Sequence, residues 1–189
     1  MKTISKEEIK ALFPELSLVN NKELIDKACA IWKEAFETGA WDDIMKPQFA
    51  TLAPNVSLVN HTRTIIRNSV NMAENVKKAY GYKVDMDVLI ISILLHDVCK
   101  IVENDPGEVQ GTCVKNNIGK TYQHGFMSGY YAQKYDLPEE IVATVIAHAG
   151  ASKVIPRTIE GLILYYNDVA DADIHFLISG AKLILDTRK

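Results

Sequence analysis

Hydrophobic positions in this 189-residue chain recur with the helical period and almost nowhere with the two-residue period of a half-buried strand. Ser5-Lys6-Glu7-Glu8 has the form of a capping box opening a short helix that Pro14 must end. A longer helix is predicted over 21–38, with Leu24, Ile25, Ala28, Ile31, Trp32, Ala35 and Phe36 on its apolar face and Gly39 past its end. Residues 41–54 read as irregular, broken by Pro47 and Pro54. A long helix over 56–80, closed by Gly81, turns Ile65, Ile66, Val70, Ala73 and Val76 inward. The next spans 86–102 behind Asp85 as its cap. The polar stretch 104–121 holds Pro106 and three glycines, and is expected to be a long loop of the lid or binding kind. Helices follow over 122–135, from Leu137-Pro138-Glu139-Glu140 to His148, over 158–172, and in a last segment toward Asp186. The expected class is all-α, a helical bundle with two extra N-terminal helices. Residues 1–55 would form an extension packed on a core of residues 56–189, since no linker is long or polar enough to part them.

One stretch breaks the amphipathic pattern. Val88 to Leu95 is apolar nearly throughout and runs straight into His96-Asp97, with Lys100 about one turn on. Burying an imidazole and a carboxylate there is costly without compensation. A divalent cation compensates well, because both groups are ligands for it. Four of the five histidines, His61, His96, His124 and His148, fall in four different predicted helices, and Asp168 falls in a fifth. Facing helices of a bundle supply metal ligands in this way. A carboxylate has two oxygens, so Asp97 is placed between two cations. His61, His96 and Asp168 would complete one site, and His124 and His148 the other. Asp168 is preferred to Asp171 and Asp173, which read as caps or solvent-facing acids, because Asn167-Asp168 follows the apolar run 162–166. His175 reads as a surface or capping histidine, and Cys99 as a small core residue.

Lys100 has two readings. Its ammonium could hold an anionic substrate beside the metals, or it could snorkel to the surface. Arg63 and Lys120 are further candidate substrate contacts, with Arg67 and Lys115 behind them.

Composition narrows the partners. The net charge of -3 and pI near 6.0 argue against nucleic acid and anionic membrane as ligands. The longest apolar run is too short to span a bilayer, and the first residues show no secretory apolar region. Three cysteines, with no CxxC, suit a reducing cytoplasm rather than a disulfide framework. A small anionic substrate is the expected partner; the oligomeric state is not written in the sequence, and a homodimer is one option. Neither a Gly-rich phosphate loop nor a Ser-His-Asp motif is visible.

The ordered set His61, His96-Asp97, His124, His148 and Asp168 resembles the HD-domain superfamily of metal-dependent phosphohydrolases, in its binuclear H…HD…H…H…D branch. His96-Asp97-Val98-Cys99-Lys100 is similar to that family's HDxGK form, with cysteine where glycine is frequent. The segments 119–124, 136–141 and 146–148 also resemble binuclear members, and the resemblance covers roughly 56–172. It implies an HD-domain helical bundle and a hydrolase of a small phosphate ester or nucleotide. Two divalent metal ions would serve it, iron or manganese first, with zinc, nickel, cobalt or magnesium as alternatives. Asp97 would orient the attacking hydroxide and Lys100 would position the substrate. Ala149 stands where cyclic-dinucleotide phosphodiesterases of the HD-GYP type carry a second histidine, and no GYP element follows. The same ligand set also serves HD-type di-iron oxygenases, and a metal centre can hydrolyse non-phosphate bonds. A ligand-sensing HD domain is the non-enzymatic alternative.

Overall fold

The computed structural model describes residues 2–187. Helix α1 (Lys6–Leu12) opens with the capping box in place. The Ser5 hydroxyl accepts the Glu8 N–H, and the Glu8 carboxylate accepts the Ser5 N–H. A 3₁₀ turn, Pro14–Leu18, leads to α2 (Lys22–Thr38), capped by Asn21. Next come α3 (Leu58–Tyr80), capped by Ser57, and α4 (Met86–His96), capped by Asp85. Gly81 closes α3 with φ at 74°, a conformation that glycine adopts without steric cost. After α5 (Lys100–Glu103) and α6 (Asn117–Thr121) come α7 (His124–Lys134), α8 (Glu139–His148) and α9 (Ile159–Ile178).

Helix α4 is the axis of the bundle. It is apolar on every side, so it is stable only where every side is covered. Leu89 through His96 are all buried, and α2, α3, α7, α8 and α9 pack around them. Each fully buried Leu or Ile there contributes roughly 1.5–3 kcal/mol. The N-terminal helices share this core. Trp32 of α2 is fully buried, donates its indole N–H to the Leu94 carbonyl at 2.8 Å, and packs against Phe13 at 4.9 Å between ring centroids.

Four expectations need correction. The helix expected over 86–102 stops at His96. Asp97 takes φ −111° and ψ 4°, and the chain resumes as α5 after three-residue turn bonds such as Lys100 N–H to the Asp97 carbonyl. The backbone therefore does not keep His96 and Asp97 on one helix. The loop expected over 104–121 instead holds an antiparallel hairpin, β1 (Asn104–Pro106) with β2 (Cys113–Lys115), and then α6. Tertiary bonds anchor it, with Trp41 donating to the Asn104 carbonyl and the Asn55 N–H to the Gly111 carbonyl. Strands of three residues are too short to show alternation. The helix expected to end near Ala172 runs on to Ile178, since Ala172, Asp173 and Phe176 continue its buried face. Val56 lies outside α3, and Val70 and Val76 are only half-buried. Among the described residues no helix is long and apolar enough to cross a membrane.

Candidate metal centre

Helix ends carry most of the cluster. His61 lies in the first turns of α3, His96 is the last residue of α4, and Asp97 follows it. His124 opens α7, His148 closes α8, and Asp168 projects from the middle of α9. Two of these are C-terminal ends, whose partial negative charge favours a cation. Close packing of α7 on α8 draws two of the rings together. A Cβ on Gly125 would lie 2.7 Å from that of Ala149, and one on Gly129 would lie 2.4 Å from Ile146 Cγ1. Only glycine admits that approach, and it leaves the His124 and His148 rings 5.2 Å apart.

Asp97 stands at the middle. Its Oδ2 lies 3.4 Å from the Nε2 atoms of both His61 and His96, and its Oδ1 lies 3.5 Å from those of His124 and His148. Asp168 Oδ1 lies 3.2 Å from His61 Nε2 and 3.7 Å from His96 Nε2. The result is two groups of ligand atoms that share Asp97, one with His61, His96 and Asp168, the other with His124 and His148.

The imidazoles are also held from behind. His61 Nδ1 bonds to the Asp171 carboxylate at 2.7 Å. His96 Nδ1 donates to the Ile93 carbonyl at 2.6 Å, and His148 Nδ1 to that of Val145. A ring bonded through Nδ1–H presents the Nε2 lone pair inward, the form that binds metal. Glu103 is fully buried and places Oε1 3.9 Å from His124 Nδ1. Phe49 stacks on His61 with 4.3 Å between centroids.

These groups fit a cation. The Nε2 atoms of His61, His96 and His148 and both oxygens of Asp97 are buried without a hydrogen-bond partner, Lys100 being paired to Asp97 by charge alone. Native interiors rarely leave such atoms unmatched. Burial works against charge on the histidines, yet Asp168, Asp171 and Asp97 push His61 up to about 10, and Asp97 with Asp168 pushes His96 up to about 9. The carboxyls of Asp97 and Asp168 are held well below the usual range despite burial, Asp97 chiefly by Lys100 and His96, Asp168 by His61 and His96. Burial and then the Lys100 ammonium push His124 down to about 3. One side of the cluster thus attracts positive charge strongly, and the other keeps a neutral, ligating imidazole.

The remaining candidates divide. Lys100 joins the cluster, its Nζ 2.6 Å from Asp97 Oδ2 and 5.3 Å from the centre of the Phe49 ring. Arg63 is half-buried on α3 and Lys120 is exposed on α6, and neither forms an ion pair or hydrogen bond with the cluster. Arg67 pairs with Glu15 at 2.6 Å, away from the centre. Asp171 is neither a cap nor solvent-facing, and His175 packs beside it at 3.6 Å. Asp171 follows Asp168 by three residues and so shares its face, a signal the sequence does carry. Glu103 stands in the same relation to Lys100, whereas nothing local marks Phe49.

Residues 58–173 match the family model of the HD domain. The chain belongs to the HD domain family. The chain is similar to a curated relative, the dihydroneopterin 2',3'-cyclic phosphate phosphodiesterase of Methanocaldococcus jannaschii, with 29% identity over 122 residues. That alignment takes in 62% of this chain and 47% of the relative, so the chain spans about half the length of that protein. No solved structure matches the chain. The six side chains of the cluster all fall inside the matched residues.

Proposed function

We propose that the chain is a metal-dependent phosphohydrolase of a small phosphate ester, with two divalent cations held by His61, His96, Asp97 and Asp168 on one side and by Asp97, His124 and His148 on the other. The observation behind this reading is the division of Asp97, whose two oxygens each face two imidazoles. Cations bound there, iron or manganese before zinc, nickel, cobalt or magnesium, would polarise a phosphoryl oxygen and acidify water. The chain's own groups do the rest. Asp97 and Asp168 supply buried negative charge, and Asp171 and the Ile93 and Val145 carbonyls hold three imidazoles in the ligating tautomer.

Lys100 positions the substrate. Once Asp97 is shared between cations, its ammonium is the positive group nearest the centre left to meet a phosphate oxygen. Arg63 and Lys120 are assigned only the outer part of the substrate. Residues 56–189 form the HD domain proper in this reading, and residues 1–55 an N-terminal extension of it. The relative's name makes a 2',3'-cyclic phosphodiester the first substrate to try, followed by nucleotides and simple phosphate monoesters.

Elemental analysis of protein purified without chelator, followed by that substrate panel with and without oxygen, tests the assignment. The expected result is bound transition metal, phosphate ester hydrolysis independent of oxygen, and loss of metal and turnover together in Asp97→Ala. Full metal content and turnover in that variant would end the assignment. Oxygen uptake by the iron-loaded protein, without release of phosphate, would replace it with oxygenase chemistry.

A further inference from the structure

The imidazoles of the cluster are held in two different ways. His96 and His148 each end a helix, where the last carbonyls have no partner within the helix. The carbonyl three residues back, of Ile93 or Val145, is therefore free to accept from Nδ1. His61 and His124 lie in the opening turns of their helices. There the unpaired backbone groups are N–H donors, which cannot accept from a ring nitrogen. His61 takes a carboxylate from another helix instead, that of Asp171 at 2.7 Å. His124 makes no hydrogen bond through Nδ1 among the described residues, although a carboxylate faces it.

That carboxylate is Glu103. It is 2% exposed, its Oε1 lies 3.9 Å from His124 Nδ1, and its Oε2 is buried without a hydrogen-bond partner. Burying a carboxylate with no donor is costly, so its retention calls for a use. Its backbone is fixed from several sides. The Glu103 carbonyl accepts the Asn116 N–H at 3.0 Å, and the Asn104 carbonyl accepts the Trp41 indole N–H at 2.9 Å. A Cβ on Gly119 would lie 2.4 Å from the Glu103 carbonyl oxygen, so only glycine lets α6 close on this residue. His124, by contrast, is the least confined imidazole of the cluster. Its side chain is 26% exposed, where those of His61, His96 and His148 are at 0%.

We infer that Glu103 is the positioning residue of His124: when the site formed by Asp97, His124 and His148 is loaded, the Glu103 carboxylate accepts Nδ1–H and fixes the ring with Nε2 turned inward. The shift needed is small, since the present separation exceeds hydrogen-bond range by only about 1 Å. The short hairpin and α6 then have a role at the centre. They hold Glu103 behind His124 as α9 holds Asp171 behind His61. Both imidazoles at helix starts are thereby served by a carboxylate, and both at helix ends by a carbonyl. The inference rests on the reading of the cluster as a metal centre and does not depend on which bond is hydrolysed there.

Calorimetric titration of the metal-free full chain with manganese tests it, with His124→Ala marking the step that belongs to this site. Glu103→Ala is expected to weaken that step about 10- to 100-fold and to leave the other in place. Glu103→Gln keeps an acceptor oxygen and should fall between. It should not lower the melting temperature of the metal-free protein, because the carboxylate has no hydrogen bond to lose there. NMR of the ring nitrogens in the zinc-loaded protein should show a protected Nδ1–H on His124 that Glu103→Ala loses. In a chain that binds manganese, a His124 step that Glu103→Ala leaves unmoved overturns this inference alone. So does a lower metal-free melting temperature in Glu103→Gln with both steps in place, which is the mark of a merely structural residue. Loss of the step in Glu103→Gln as complete as in His124→Ala overturns it in favour of Glu103 as a direct ligand. A wild-type chain that binds no manganese overturns the metal reading and this inference with it.

Discussion

Replacing Asp171 with alanine should weaken one half of the metal centre and spare the other. The Asp171 carboxylate lies 2.7 Å from His61 Nδ1, and the His61 ring is buried, so the charged acceptor has no equal replacement there. A hydrogen bond to a charged group is worth roughly 1.5–3 kcal/mol. At 1.4 kcal/mol per factor of ten, its loss should weaken binding at the site that includes His61 by about 10- to 100-fold. The other site keeps His124, His148 and Asp97 Oδ1, none of which touches Asp171. Titration of the metal-free protein with manganese, followed by calorimetry, should therefore show one step displaced and one nearly unmoved. Asp171→Asn should fall between, since it retains an acceptor oxygen but not the charge. His175→Ala removes the neighbour at 3.6 Å and should leave both steps in place. Equal weakening of both sites, or of neither, with the melting temperature maintained, would refute the reasoning.

Two further outcomes follow from the same geometry. Lys100→Ala should keep its metal and raise KM for a phosphate ester by about tenfold or more, because a charge-assisted contact to the substrate is lost; steady-state kinetics with an unchanged KM would remove Lys100 from the site. Trp32→Phe strips the Leu94 carbonyl of its 2.8 Å donor inside the core and should cost about 1–3 kcal/mol in urea unfolding, whereas no change would mean that α2 is held to α4 by apolar packing alone.

Much of this architecture can be read locally. Capping boxes, glycine stops and apolar periodicity depend on residues within one or two turns, so α1, α2, α3 and α8 lie close to where the sequence places them. The family resemblance is legible for a similar reason, because the order of His61, His96-Asp97, His124, His148 and Asp168 is written along the chain. The hairpin in 104–121 is not local. It rests on Trp41 and Asn55, partners about fifty residues or more away whose bonds leave no periodic trace. The break at Asp97 is hidden too, since apolar residues on both sides keep the helical pattern going.

What the amino-acid order determined alone was the long helices, the apolar run at 88–95 that leads into His96-Asp97, and the list of side chains able to bind a metal. Those follow from periodicity and from the cost of leaving a histidine and an aspartate at the end of an apolar run. Only the packed molecule decided how the list is used. Close approach of α7 to α8 at Gly125 and Gly129, and the turn at Asp97, set which oxygen faces which ring. Packing also gave Asp171 its place behind His61. Distances between groups a hundred residues apart arise from packing, and no short-range pattern encodes them.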